Sequence, residues 1–205
     1  MVKIMFKAVK NKKVRVGFDF DGVITYNPLG LLRPLIVFLK EKKIIHRGKM
    51  SFYKPKSLMQ KIFWLFIHQT SSLPSVGVFK IPRLVNLGLI EAFVITGRTK
   101  FLINDLVFKL KLFGLHQCFN SIHSTDEKLQ PHQAKFLKIK QLKLDYFIED
   151  NWDIVQYLNQ ACLEDRATHC KVYWVTNIFD KDIRYQYKAS SLSEAINIII
   201  GKHKK

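Results

Sequence analysis

Two aspartates, Asp19 and Asp21, close the apolar run VRVGF within the stretch VRVGFDFDGVIT, residues 14–25. Alternate residues of an extended chain point to the same side, so both carboxylates can face one site where the strand ends and Gly22 begins a turn. Such a pair can hold a divalent cation, serve as nucleophile and acid/base partner, or simply cap a strand end. A calcium hand is excluded by spacing, because its loop needs glycine at the sixth position and glutamate at the twelfth. Here the glycine is fourth counted from Asp19, and Val23 and Ile24 follow it.

Other chemistry-bearing residues gather behind other apolar runs. ITGR (95–98) places Thr96, Gly97 and Arg98 after AFVIT, and LDYFI (144–148) runs into the acid pair Glu149 and Asp150. Lys135 stands near the start of AKFLKIKQLKL (134–144), with Lys138 and Lys140 close behind it. If the apolar runs are parallel strands, each of these groups arrives at a strand's C-terminal end, where open α/β sheets bind ligands.

The elements that must position them follow from periodicity. VRVGF (14–18), AFVIT (92–96), FNSIH (119–123), LDYFI (144–148) and KVYWVT (171–176) are short apolar runs without clean alternation, as suits strands buried on both faces. Between the later ones, residues 101–114, 134–144 and 152–163 carry helical spacing, and Gly114 stands where a helix would stop. Strand and helix in alternation predict an α/β fold with a Rossmann-like parallel sheet.

Some seventy residues separate Asp21 from AFVIT, far more than the roughly 10–12 that a crossover needs. Within that gap LGLLRPLIVFLKEKK, KSLMQKIFWLFIHQ and PRLVNLGLIE show helical character, the last leading into the second strand. The expected organisation is an α/β core of residues 1–25 and 76–205, with residues 26–75 a small helical cap inserted after the first strand.

Composition bounds the partners. The chain has 205 residues, 48% of them hydrophobic, and a net charge of +18, which suits one globular core with an insertion and not a disordered chain. Between residues 26 and 80, ten Lys or Arg face the single acid Glu41. An anionic partner is expected: a small phosphorylated substrate steered to the site, or a nucleic-acid backbone held by the basic cap. No apolar run approaches the ~20 residues of a membrane span, and lysines interrupt the N-terminal MVKIMFKAVKNKK where a signal peptide would be continuous. A cytoplasmic location is expected. It suits Cys118, Cys162 and Cys170, which form neither a disulfide framework nor a CxxC.

Taken together and in order, FDFDGV, ITGR, Lys135 and FIEDN resemble the four motifs of the haloacid dehalogenase (HAD) superfamily of phosphatases, over roughly residues 14–180. The insertion after the first motif is similar to that superfamily's C1 cap, and the DGVIT, ITGR and EDN wording looks most like its deoxyribonucleotidase-like members. The resemblance implies a Mg²⁺-dependent phosphohydrolase acting on phosphomonoesters, nucleoside monophosphates among them. It implies that Asp19 attacks phosphorus to form an aspartyl-phosphate and that Asp21 acts as acid and then base. Thr96 and Lys135 would hold phosphate oxygens. Mg²⁺ would rest on Asp19, the Asp21 backbone carbonyl, Asp150 and Glu149.

Gly97 and Arg98 are candidate substrate contacts, Arg98 being equally suited to a structural ion pair. Asn151 suits a helix cap or support of the metal acids, and Asp153 a helix N-terminal charge. His132 reads as a solvated loop residue. Tyr26, Asn27 and Arg33 could touch substrate from the cap. The run IFWLFI (62–67) is expected to bury the cap against the core, with a membrane-surface face or a dimer contact as alternatives. Two other functions stay open: a phosphatase for nucleic-acid ends, and a non-catalytic anion-binding module on the same fold.

Overall fold

A computed structural model describes residues 13–28, 55, 57–125, 129–177, 180 and 182–203. The N-terminal segment, the first expected cap helix with Arg33, and most of the basic stretch 41–57 lie outside the described residues. The core is a six-stranded parallel sheet of β1 (Val14–Phe18), β4 (Ile90–Thr99), β5 (Phe119–Thr125), β6 (Tyr146–Glu149), β7 (Lys171–Val175) and β8 (Lys188–Ala189), in spatial order β5-β4-β1-β6-β7-β8. Counting only these strands along the chain, the order is 3-2-1-4-5-6, the doubly wound arrangement whose crevice opens where the winding reverses. That reversal is at β1, the strand that carries Asp19.

Helices cover both faces. On one, α2 (Lys80–Asn86), α3 (Ile103–Leu112) and α6 (Leu192–His203) contribute Ile81, Leu106, Leu110 and Ile196 to a cluster around Phe18 and Val94. On the other, α4 (Pro131–Gln141) and α5 (Trp152–Glu164) contribute Ile139, Val155 and Leu158 to a cluster around Phe93, Phe147 and Trp174. Burying each such side chain contributes roughly 1.5–3 kcal/mol, which is why the central strands carry so little polar sequence. The exception is β5, only part-buried along most of its length because it is one of the two edge strands. Gly114 follows α3 at φ +69, and the Leu115 amide donates back to the Leu110 carbonyl at 2.8 Å, the left-handed stop expected of it.

The insertion leaves the core through a two-stranded ribbon. Here β2 (Thr25–Tyr26) pairs antiparallel with β3 (Leu73–Pro74), and α1 (Leu58–His68) lies between them in sequence. A Ser57 and Gln60 capping box starts α1. The expectation that IFWLFI buries against the core is not met: α1 has no buried residue, and Phe63 and Phe66 are 63% and 74% exposed. Its described attachments are the Lys61 ammonium over the Phe101 ring at 5.9 Å and polar contacts at its C-terminal end. Lys109 donates to the His68 carbonyl at 2.8 Å and Gln69 donates to Asp105 at 2.7 Å. Among the described residues no helix is long and apolar enough to cross a membrane.

Candidate active site

Asp19 leaves β1 in the middle of the sheet, and its amide donates to the Ile148 carbonyl of β6 at 2.9 Å, so the backbone is fixed before the side chain turns to the crevice. A tight turn follows. The amides of Ile24 and Thr25 both donate to the Phe20 carbonyl, and the Gly22 amide to the Thr25 carbonyl. Gly22 has φ +87, and a Cβ there would collide with the Asp150 carboxylate. Glycine is therefore required twice, by the backbone conformation and by the approach of Asp150.

Three carboxylates converge: ligand oxygens of Asp19, Glu149 and Asp150 lie within 4.8 Å of one another. Lys135 reaches in from α4, buried to 1% exposure, with Nζ 2.6 Å from Glu149 Oε2 and 2.9 Å from Asp19 Oδ1. The Asp19 contact is close but out of line for a hydrogen bond, so this buried oxygen has a cation nearby and no donor. Burial first, and then the charge of Glu149, pushes the Asp19 carboxyl up to about 7 although Lys135 pulls the other way. Lys135 is raised: its own burial is outweighed by the two carboxylates. An orphaned carboxylate oxygen beside two further acids is a donor set that fits a hard divalent cation such as Mg²⁺.

Asp21 has a different environment. Arg98, whose side chain is 0% exposed, donates from Nε to Asp21 Oδ2 and from NH2 to Oδ1, both at 2.8 Å, and from NH1 to Asp105 Oδ2 at 2.7 Å. Burial works to raise Asp21, but the Arg98 fork and the His68 ring, 3.8 Å away, hold it well below the usual carboxylate range. Arg98 also stacks over the Phe20 ring at 4.7 Å. The residue expected to touch substrate or make an ion pair is thus engaged on both sides by acids.

The remaining candidates fall into place around these. Thr96 is 1% exposed in β4, its Oγ1 accepting from the Arg98 amide at 3.1 Å, with Gly97 between them. Lys138 and Lys140 point elsewhere, to Gln141 and Asp165. Asn151 caps α5 by accepting from the Asp153 amide, and its own amide donates to Glu149 Oε1 at 3.1 Å. Asp153 sits in the first turn of α5. His132 is not a solvated loop residue: it is 7% exposed on α4, its ring edge-on to Tyr157 at 4.5 Å. Tyr26 and Asn27 line a cavity beside Asp150.

Sequence reasoning did not single out His68, Asp105, Lys109 or Trp174. Asp105 and Lys109, an ion pair at 3.2 Å, stand four apart on a helix otherwise rich in apolar residues, a signal that was available. Trp174 donates from Nε1 to the Asp150 carbonyl at 3.0 Å and fixes the second half of the acid pair.

No protein-family model and no curated protein matches the sequence. Solved structures do match by shape. A HAD phosphatase from Thermococcus onnurineus aligns with a TM-score of 0.58 at 17% identity, over 92% of this chain and 98% of its own. The fold is that of the HAD-like hydrolases. YfnB from Bacillus subtilis, solved bound to magnesium, aligns with a TM-score of 0.58 at 14% identity over 92% of this chain and all of its own, 100%. CbbY from Rhodobacter sphaeroides, in complex with phosphate, aligns with a TM-score of 0.52 at 14% identity over 89% and 96%. The HAD-like architecture therefore spans nearly the whole chain, and Asp19, Thr96, Lys135 and the acids 149 and 150 stand at the C-terminal edge of its sheet.

Proposed function

We propose that this protein is a cytoplasmic, Mg²⁺-dependent phosphohydrolase that cleaves small phosphomonoesters, nucleoside monophosphates included, through an aspartyl-phosphate on Asp19. The observation that carries the reading is the Asp19 carboxylate: buried, lacking a hydrogen-bond donor on Oδ1, beside Lys135, and grouped with Glu149 and Asp150. Residues 26–75 are read as a C1-type cap, in keeping with α1 lying between the two ribbon strands. The magnesium of YfnB and the phosphate of CbbY, on the same fold, support the reading.

Asp19 attacks phosphorus in line and expels the alcohol, and water then attacks the acyl-phosphate, so one hard displacement becomes two easier ones. Mg²⁺, held by Asp19, Asp150, Glu149 and the Asp21 carbonyl, would offset the negative charge of the approaching phosphate. Lys135 compensates Asp19 in the resting site, and with Thr96 it holds phosphate oxygens as charge shifts. Asp21, held ionised by Arg98 in the resting site, would have to take up a proton before giving one to the leaving oxygen, and would later recover it from the attacking water. Because Arg98 grips both Asp21 oxygens, proton transfer needs at least one of those bonds to open. The test is phosphate release from a panel of phosphomonoesters and a 5′-phosphorylated oligonucleotide, with Mg²⁺ or with chelator. Release that needs the metal is expected; a folded, metal-loaded protein that releases nothing from any ester sinks the reading.

A further inference from the structure

Helix α1 turns its apolar side the wrong way for a helix in water. At about 100° per residue, Leu65, Leu58, Ile62, Phe66, Met59 and Phe63 follow one another around an arc of roughly 160°. In that order they are 39%, 72%, 54%, 74%, 75% and 63% exposed. An ordinary surface helix buries its apolar stripe and offers its polar face to solvent. Here the side turned to the protein carries Lys61 over the Phe101 ring, Trp64 edge-on to His68 at 5.6 Å, and His68 itself 3.8 Å from Asp21. The outer arc is not needed to order the helix: the Ser57 and Gln60 capping box closes its start, and Lys109 holds the His68 carbonyl at its end.

We infer that α1 docks on the surface of an anionic lipid bilayer, lying flat in the interface with this arc turned into the hydrocarbon. Six large apolar side chains on one open face mark an interaction surface, and charge selects its occupant. The sequence from residue 26 to 80 carries ten Lys or Arg against Glu41 alone, within a chain of net charge +18. A second copy would bring two such segments face to face, and like charge opposes that contact. An anionic bilayer attracts the same charge and also takes up the apolar arc, the two contributions that hold amphipathic helices at membrane surfaces. Eleven residues at about 1.5 Å each fall well short of a bilayer's core, so the contact is peripheral. This surface goes beyond the phosphohydrolase reading and does not depend on it.

Cosedimentation of the full chain with vesicles of phosphatidylcholine alone, and of phosphatidylcholine with roughly 30% phosphatidylserine, tests this. Partitioning onto the anionic vesicles should be at least about tenfold stronger than onto the neutral ones, and should weaken as salt rises. Phe63→Ser combined with Phe66→Ser leaves the charge unchanged. It should weaken binding to the anionic vesicles by about tenfold or more, with circular dichroism and melting like those of the parent. Absent binding, or equal binding to both vesicles, overturns the inference. So does binding that the double substitution leaves intact, which would mean that basic charge alone holds the lipid. A double variant that unfolds, or melts well below the parent, also overturns it, because the arc would then be covered within the chain. A parent dimer in sedimentation equilibrium that the same substitutions dissolve would assign the face to a second copy and overturn the inference as well.

Discussion

The two aspartates of one strand end are held in opposite protonation environments, which suits the separate tasks proposed for them. Asp19 is buried among acids with its carboxyl pushed up to about 7, so in the metal-free protein the folded state binds a proton that the unfolded chain has already released. Stability from this group is present below the ordinary carboxylate range and is lost as pH rises through about 7. At about 1.4 kcal/mol per pK unit, the metal-free parent should lose a few kcal/mol over that window. Asp19→Asn should flatten the profile and melt higher than the parent at neutral pH in chelator. Denaturant titrations across the pH series check this, and an Asn variant that follows the parent's slope contradicts it. Asp21 has the opposite sign. Its lowered carboxyl contributes stability that is fully present above the ordinary carboxylate value and is lost progressively as pH falls from there through the lowered one.

At the scale of elements, one polar network ties α1 to Asp21, the proposed acid/base residue. Lys109 of α3 holds the last carbonyl of α1, Gln69 just beyond α1 holds Asp105, and Asp105 shares Arg98 with Asp21. The lysine also satisfies a helix C-terminal carbonyl, where a positive charge complements the dipole. Lys109→Met keeps the aliphatic packing and removes both polar contacts. Amides around residues 66–70 should then exchange about tenfold faster or more, while those of β1 change less. Exchange that accelerates uniformly, or not at all, would mean that α1 is held by something other than this network. The same elements show why a buried face for α1 does not follow from its sequence: an aromatic helical run says that apolar area exists, and the described contacts hold the helix through its C-terminal end and through Lys61 over the Phe101 ring.

At the scale of the molecule, the strands with near-continuous apolar sequence were legible to within a few residues, because a doubly covered sheet leaves little room for polar side chains. Thus VRVGF is β1 as written, and KVYWV is β7. The edge and the late elements were harder. β8 is only two residues long, and α6 closes the core through Leu192, Ile196 and Ile199 after a polar stretch that hides it. Asp19, Asp21, Thr96, Lys135, Glu149 and Asp150 could be picked out because each follows or faces a strand end. Arg98's partners could not, since Asp105 and His68 reach it from separate helices and only packing brings them together. The cavity wall is illegible for the same reason: Tyr26, Leu73 and Leu192 are far apart in sequence.

The central claim is that Asp19 is the nucleophile. The measurement that tests it most directly is single-turnover phosphate release by Asp19→Asn and the parent on the best ester, with Mg²⁺ saturating and both proteins matched in circular dichroism and melting. An amide cannot form the acyl-phosphate, so the account predicts a rate lower by on the order of 10³-fold or more. A folded Asp19→Asn protein that keeps its rate to within about tenfold would contradict it.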